Sequence, residues 1–81
     1  MKPSNGSYRF TTLAQPGAPS TSVVYTVTDD GIPTTFGLLE WVEMPPPGMF
    51  VHGDVALRFT SETDFVALNG NASFAGTYAP A

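Results

Sequence analysis

Apolar and polar residues alternate one by one along much of this chain, which is the period of a β-strand with one face turned inward. Val23, Tyr25 and Val27 alternate with Ser22, Val24 and Thr26, predicting a strand over residues 21–28. Tyr8, Phe10 and Thr12 share one face of an earlier strand near 7–14. Between them, Gln15-Pro16-Gly17-Ala18-Pro19-Ser20 breaks regular pairing and reads as a loop. Asp29-Asp30-Gly31 is turn chemistry, and Ile32-Pro33 keeps the chain extended after it.

Residues 35–43 fit two patterns. Thr35 as a cap, with Phe36, Leu39 and Val42 on one face, suits a short helix. Leu38-Leu39-Glu40-Trp41-Val42 has the composition of a strand, and the flanking residues favour that reading. A long β segment follows over 49–61, in which Val55, Leu57 and Phe59 alternate with Ala56, Arg58 and Thr60. Gly53 inside it predicts a bulge or a close backbone approach. Residues 65–68 and 73–78 form a closing hairpin around Asn69-Gly70, a dipeptide that tolerates the backbone of a tight turn. About six short antiparallel strands with regularly spaced turns predict an all-β domain, a small barrel or sandwich. Residues 1–81 make one domain, with 1–12 a candidate extended N-terminal arm.

Composition changes this picture in one respect. Only 12% of the residues are charged, against about 25% in soluble domains. An 81-residue chain has most of its positions at or near the surface. A surface of Ser, Thr, Gly, Pro, Ala and aromatics is suited to contact with other protein. Small domains are often reinforced by disulfides, a metal or oligomerisation. With no Cys and a single His, the third is the expected route, and no cofactor or metal is expected. Three cations against seven acids leave no basic stripe, which argues against nucleic acid and anionic membranes as partners.

Candidate chemistry is sparse. His52 and Asp54 would share a strand face, but no Ser or Thr sits in a nucleophile elbow beside them. The acidic pairs Asp29-Asp30, Glu40/Glu43 and Glu62/Asp64 lack the spacing of a calcium loop. The chain is therefore read as non-enzymatic. Trp41 with Tyr8, Tyr25 and Tyr78 offers a second possibility, a stacking platform for a glycan or peptide. The most distinctive segment is Met44-Pro45-Pro46-Pro47-Gly48-Met49-Phe50, a stiff extended stretch flanked by apolar groups. Tyr8, Phe10, Trp41, Met44, Pro45, Pro46, Pro47, Met49 and Phe50 are the interface candidates.

Three pieces carry a resemblance: Gly37-Leu38-Leu39, Met49-Phe50-Val51-His52-Gly53-Asp54-Val55, and Phe74-Ala75-Gly76-Thr77. In order and rough spacing they resemble the small head-decoration (cement) proteins of lambdoid tailed phages over about half the chain. The family's longer N-terminal arm is truncated here, and Glu62-Thr63-Asp64-Phe65 replaces a helical stretch. The resemblance implies a β-rich subunit, made in the host cytoplasm, that trimerises on the outside of a virion and clamps major capsid subunits. It also implies that Ser4 to Thr12 adds a strand to a capsid sheet edge. Other virion parts, such as a tail, neck or fibre adaptor, fit the same composition.

Overall fold

The computed structural model describes residues 2–14, 16–17, 19–43 and 48–81. Among them the chain forms eight antiparallel strands and no helix. These are β1 (Gly6–Thr12), β2 (Ser22–Val27), β3 (Ile32–Thr34), β4 (Gly37–Val42), β5 (Met49–His52), β6 (Val55–Phe59), β7 (Asp64–Asn69) and β8 (Ala72–Pro80). They make one sheet in the order β2-β1-β8-β7-β6-β5-β4-β3, curled into a barrel that almost closes. The all-β prediction holds, and residues 35–43 resolve as a turn and a strand.

The strand count differs from the expected six for two local reasons. Residues 49–61 are a hairpin rather than one long strand, since His52 pairs with Val55 across the two-residue turn Gly53-Asp54. Gly53 has φ of +60°, as Gly70 does in the turn between Asn69 and Ala72. A positive φ at the first central position followed by a residue without it is the type II′ turn, whose twist matches the strands it joins. Ile32-Pro33-Thr34 is also a strand, paired with β4 alone. Pro is tolerated there because its missing N–H faces away from the only partner strand.

The interior is aromatic at one end. Phe10 is 4% exposed and lies 5.4–5.9 Å from the rings of Tyr25, Phe59, Phe65 and Tyr78. Phe59 continues the cluster to Phe50 at 5.7 Å, and Phe50 to Trp41 at 4.8 Å. These are the separations at which tilted ring pairs add to the energy of burial. Phe65 fits only because β8 carries Gly76 opposite it, where a Cβ would stand 2.5 Å from the Phe65 ring. β1 is thus an inner strand of the barrel, paired on both sides, with β2 and with β8. Ser4 to Thr12 is not a free arm, because Phe10 is the hub of the core.

Candidate contact surface

The alternation that points Phe10, Leu39, Phe50, Leu57, Phe59 and Phe65 inward points their neighbours outward. On β4 to β7 those neighbours are largely apolar. Val51 pairs with Ala56, and Ala56 with Leu68, forming one row across the outside of the sheet. Met49 and Val66 flank Arg58 in a parallel row, and Val42 stands beside Met49. Val42, Val51, Val66 and Leu68 are half-buried, while Met49 is buried on this outer side, outside the interior cluster. On β2, β1 and β8 the outward positions are mostly Ser, Thr and Ala, including Thr11, Thr26, Ala75 and Thr77. Hydroxyls here bond each other, as Ser7 Oγ does with Thr26 Oγ1 at 3.3 Å. The barrel therefore presents an apolar flank and a hydroxyl flank, with few charges on either.

The second notable place is the seam where the barrel fails to close. β2 and β3 touch through one bridge, in which Thr28 and Gly31 exchange backbone hydrogen bonds of 2.8 and 3.2 Å. Continuing that register would set Pro33 opposite Thr26. Antiparallel pairing alternates, so Pro33 would have to donate at this position, and it has no N–H. The ladder stops there. Behind the seam lies a cavity of about 190 Å³ whose walls include Tyr25, Leu39, Leu57 and Ala67. Val23 and Phe36, 44% and 52% exposed, stand at its mouth, and Thr12, Thr21 and Thr34 supply its hydroxyls. Among the described residues, no charged side chain lines it.

The structure separates the interface candidates into groups. Tyr8, Phe10 and Phe50 belong to the interior, where Phe50 is fully buried. The Tyr8 hydroxyl reaches the rim and donates to the Ser4 carbonyl at 2.7 Å. Trp41 is half-buried against Phe50, donates its indole N–H to Glu43 and carries the Lys2 ammonium 5.7 Å over its ring. Met49 lies on the outer flank. Met44, Pro45, Pro46 and Pro47 lie outside the described residues. The outward Val51, Val66 and Leu68 are not singled out by the sequence reading, although their signal is present. Both parities of β5 and β7 are apolar, the mark of strands covered on both sides.

The alternative chemistries find little geometry. His52 does not turn to Asp54, which sits in the II′ turn. Its Nδ1 lies 3.1 Å from the Leu38 carbonyl oxygen, and its ring tilts against Phe36 at 5.5 Å. The tyrosines share no common plane, since Tyr8 meets Tyr78 edge-on at 67° and Tyr25 packs on Phe10. Burial raises the Tyr78 hydroxyl above the ordinary tyrosine pKa, with Tyr8, Glu62 and Asp64 adding to the shift. That hydroxyl donates to the Ser61 carbonyl at 2.7 Å and so ties β8 to the turn before β7. Among the described residues, no group of three His, Cys, Asp or Glu is placed to hold a metal ion.

Comparison with protein-family models, with curated proteins and with solved structures finds no match for this chain. What the fold and surface define is a small, nearly closed β-barrel with a sparsely charged exterior.

Proposed function

We propose that this chain is a non-enzymatic structural subunit that works by packing against other protein, as a decoration (cement) protein on the outside of a virus capsid. The observation that carries the reading is the outer row of Val51, Ala56 and Leu68, with Val42 and Val66 beside it. Sheet faces of this composition are normally covered, and the described residues supply no second layer over β4 to β7. At about 25 cal/mol per Å², covering several half-buried aliphatic side chains contributes a few kcal/mol per subunit. Such contacts are weak singly and strong when repeated across a lattice. The phage setting rests on the resemblance over the second half of the sequence, and the subunit form expected from it is a trimer bound to a major capsid protein. Its proposed site of action is the virion, with no nucleic-acid or membrane partner.

The barrel changes one part of the expected docking. With β1 inside the fold, the N-terminal segment does not serve as a donated strand, and the outer flank takes over as the main contact. Solution mass against protein concentration tests the reading. An oligomer whose thermal unfolding rises with concentration supports it; a soluble monomer at all concentrations overturns it.

A further inference from the structure

The open seam brings together two features that the core and the outer flank leave unused. One is the backbone of β2. The Thr12 N–H donates to the Thr21 carbonyl at 2.9 Å, so in the alternating antiparallel pattern Val23, Tyr25 and Val27 turn their backbone groups toward β1. Ser22 and Val24 then turn theirs away from it. Thr28 confirms the phase, since its N–H and C=O both face Gly31. In the register of that bridge Val24 would lie opposite Thr35, where the chain has already left β3 for the turn into β4. Among the described residues, the N–H and C=O groups of Ser22 and Val24 thus line an edge with no facing strand. The other feature is the cavity directly behind that edge, with exposed Val23 and Phe36 at its mouth.

We propose that the seam takes up an extended segment of a second protein, which adds to β2 as a further strand and sets one apolar side chain in the cavity. The inference rests on the reading of this chain as a docking subunit and names one of its contacts. Free edges are normally guarded by Lys, Pro or a bulge. β3 has Pro33; β2, Ser22–Val27, has no charged residue, Pro or Gly. The unguarded edge is the one beside the cavity. An added strand turns every second side chain inward, and a volume of about 190 Å³ exceeds the 150 Å³ or so that holds a benzene ring. The inward residue is therefore Leu- or Phe-sized, and the neutral lining selects an uncharged segment. A second copy of β2 does not meet this demand, because its own Val23 and Tyr25 are already turned into its own barrel.

The probe is a short peptide alternating Thr with Val around a central Phe, capped at both ends and flanked by Lys for solubility, titrated into the full chain by NMR. Amide shifts are expected over 20–27 and 34–39, with exchange at the Val24 amide slowed about tenfold or more at saturation. Val24→Pro removes only the outward N–H of an edge strand, so the fold is retained and the peptide effect is lost. Val24→Lys, which keeps the backbone donor and adds a guarding charge, is expected to weaken binding at least tenfold and covers the case in which the proline variant does not fold. Absence of shifts overturns the proposal, as do shifts at cavity residues with Val24 still exchanging freely, which indicate capture of an apolar group alone. Strand addition by a protein that stays monomeric overturns the oligomer reading and leaves this one standing; an oligomer that ignores the peptide does the reverse.

Discussion

Pro33 stands where the β2–β3 ladder would place the partner of Thr26, and it has no N–H to give. One missing donor leaves the barrel open along a seam and the cavity behind it accessible. Pro33→Val restores the donor. A new hydrogen bond contributes about 1 kcal/mol, and loss of the proline returns a comparable amount of entropy to the unfolded chain. Stability is therefore expected to change by less than about 1 kcal/mol. The discriminating readout is amide exchange: the new N–H at position 33 becomes protected in the variant. An exchanging amide there would show that the seam is held open by something other than Pro33.

Phe65 lies against the bare Cα of Gly76. A Cβ at 76 would fall 2.5 Å from both the Phe65 ring and the Thr11 carbonyl oxygen, so backbone as well as side chain must move. Gly76→Ala is expected to lower unfolding free energy by roughly 1–3 kcal/mol, the range of overpacked cores. Denaturant unfolding measures it, and a change under about 0.5 kcal/mol contradicts the packing described.

Phe10 is the ring that the other core aromatics share. Phe10→Ala is expected to remove about 3–5 kcal/mol, most of the stability of a domain this small. Deleting residues 1–12 abolishes the fold for the same reason, since β1 joins β2 to β8. Circular dichroism of the truncated chain checks this; a folded truncation would restore the view of 1–12 as a free arm.

Tyr78 makes stability sensitive to alkali. Its pKa is raised above the usual value of about 10, chiefly by burial. Above that value the unfolded chain has lost a proton that the native state still holds, so stability falls as pH rises. The contribution is complete below about pH 10 and is lost above it. Thermal unfolding between about pH 8 and 11 should decline more steeply in the wild type than in Tyr78→Phe. Equal slopes would contradict the assignment. Across the range the variant is less stable by about 1 kcal/mol, because the Ser61 carbonyl loses its donor.

Much of the fold is legible in the alternation of single strands. Val23, Tyr25 and Val27 point inward as their spacing predicts, and Asn69-Gly70 marks its hairpin within a residue. His52-Gly53-Asp54-Val55 carries the same kind of signal, a Gly-Asp pair between two runs, but a single Gly within apolar alternation also fits a bulge. Only the pairing partner decides between them. Pro33 argues against a strand in sequence because one donor is missing, although an edge strand needs no donor on its free side. The seam depends on register between segments, and no local pattern reports that. Tyr8, Phe10 and Phe50 look like contact residues for a related reason: aromatic composition alone does not distinguish a filled barrel from an exposed stripe.

The outer flank is where the central claim is most exposed to test. Val51 and Leu68 point away from the core, so Val51→Lys and Leu68→Lys leave the barrel folded, within about 1 kcal/mol of the wild type. Both put a charge in the row that the proposed contact covers. Sedimentation equilibrium of the wild type and the two variants, across a wide concentration range, is the most direct measurement. An associating wild type, with a trimer as the expected species, beside variants that are folded and monomeric, is the predicted result. A wild type that stays monomeric throughout, or variants that associate as tightly as it does, would contradict the account.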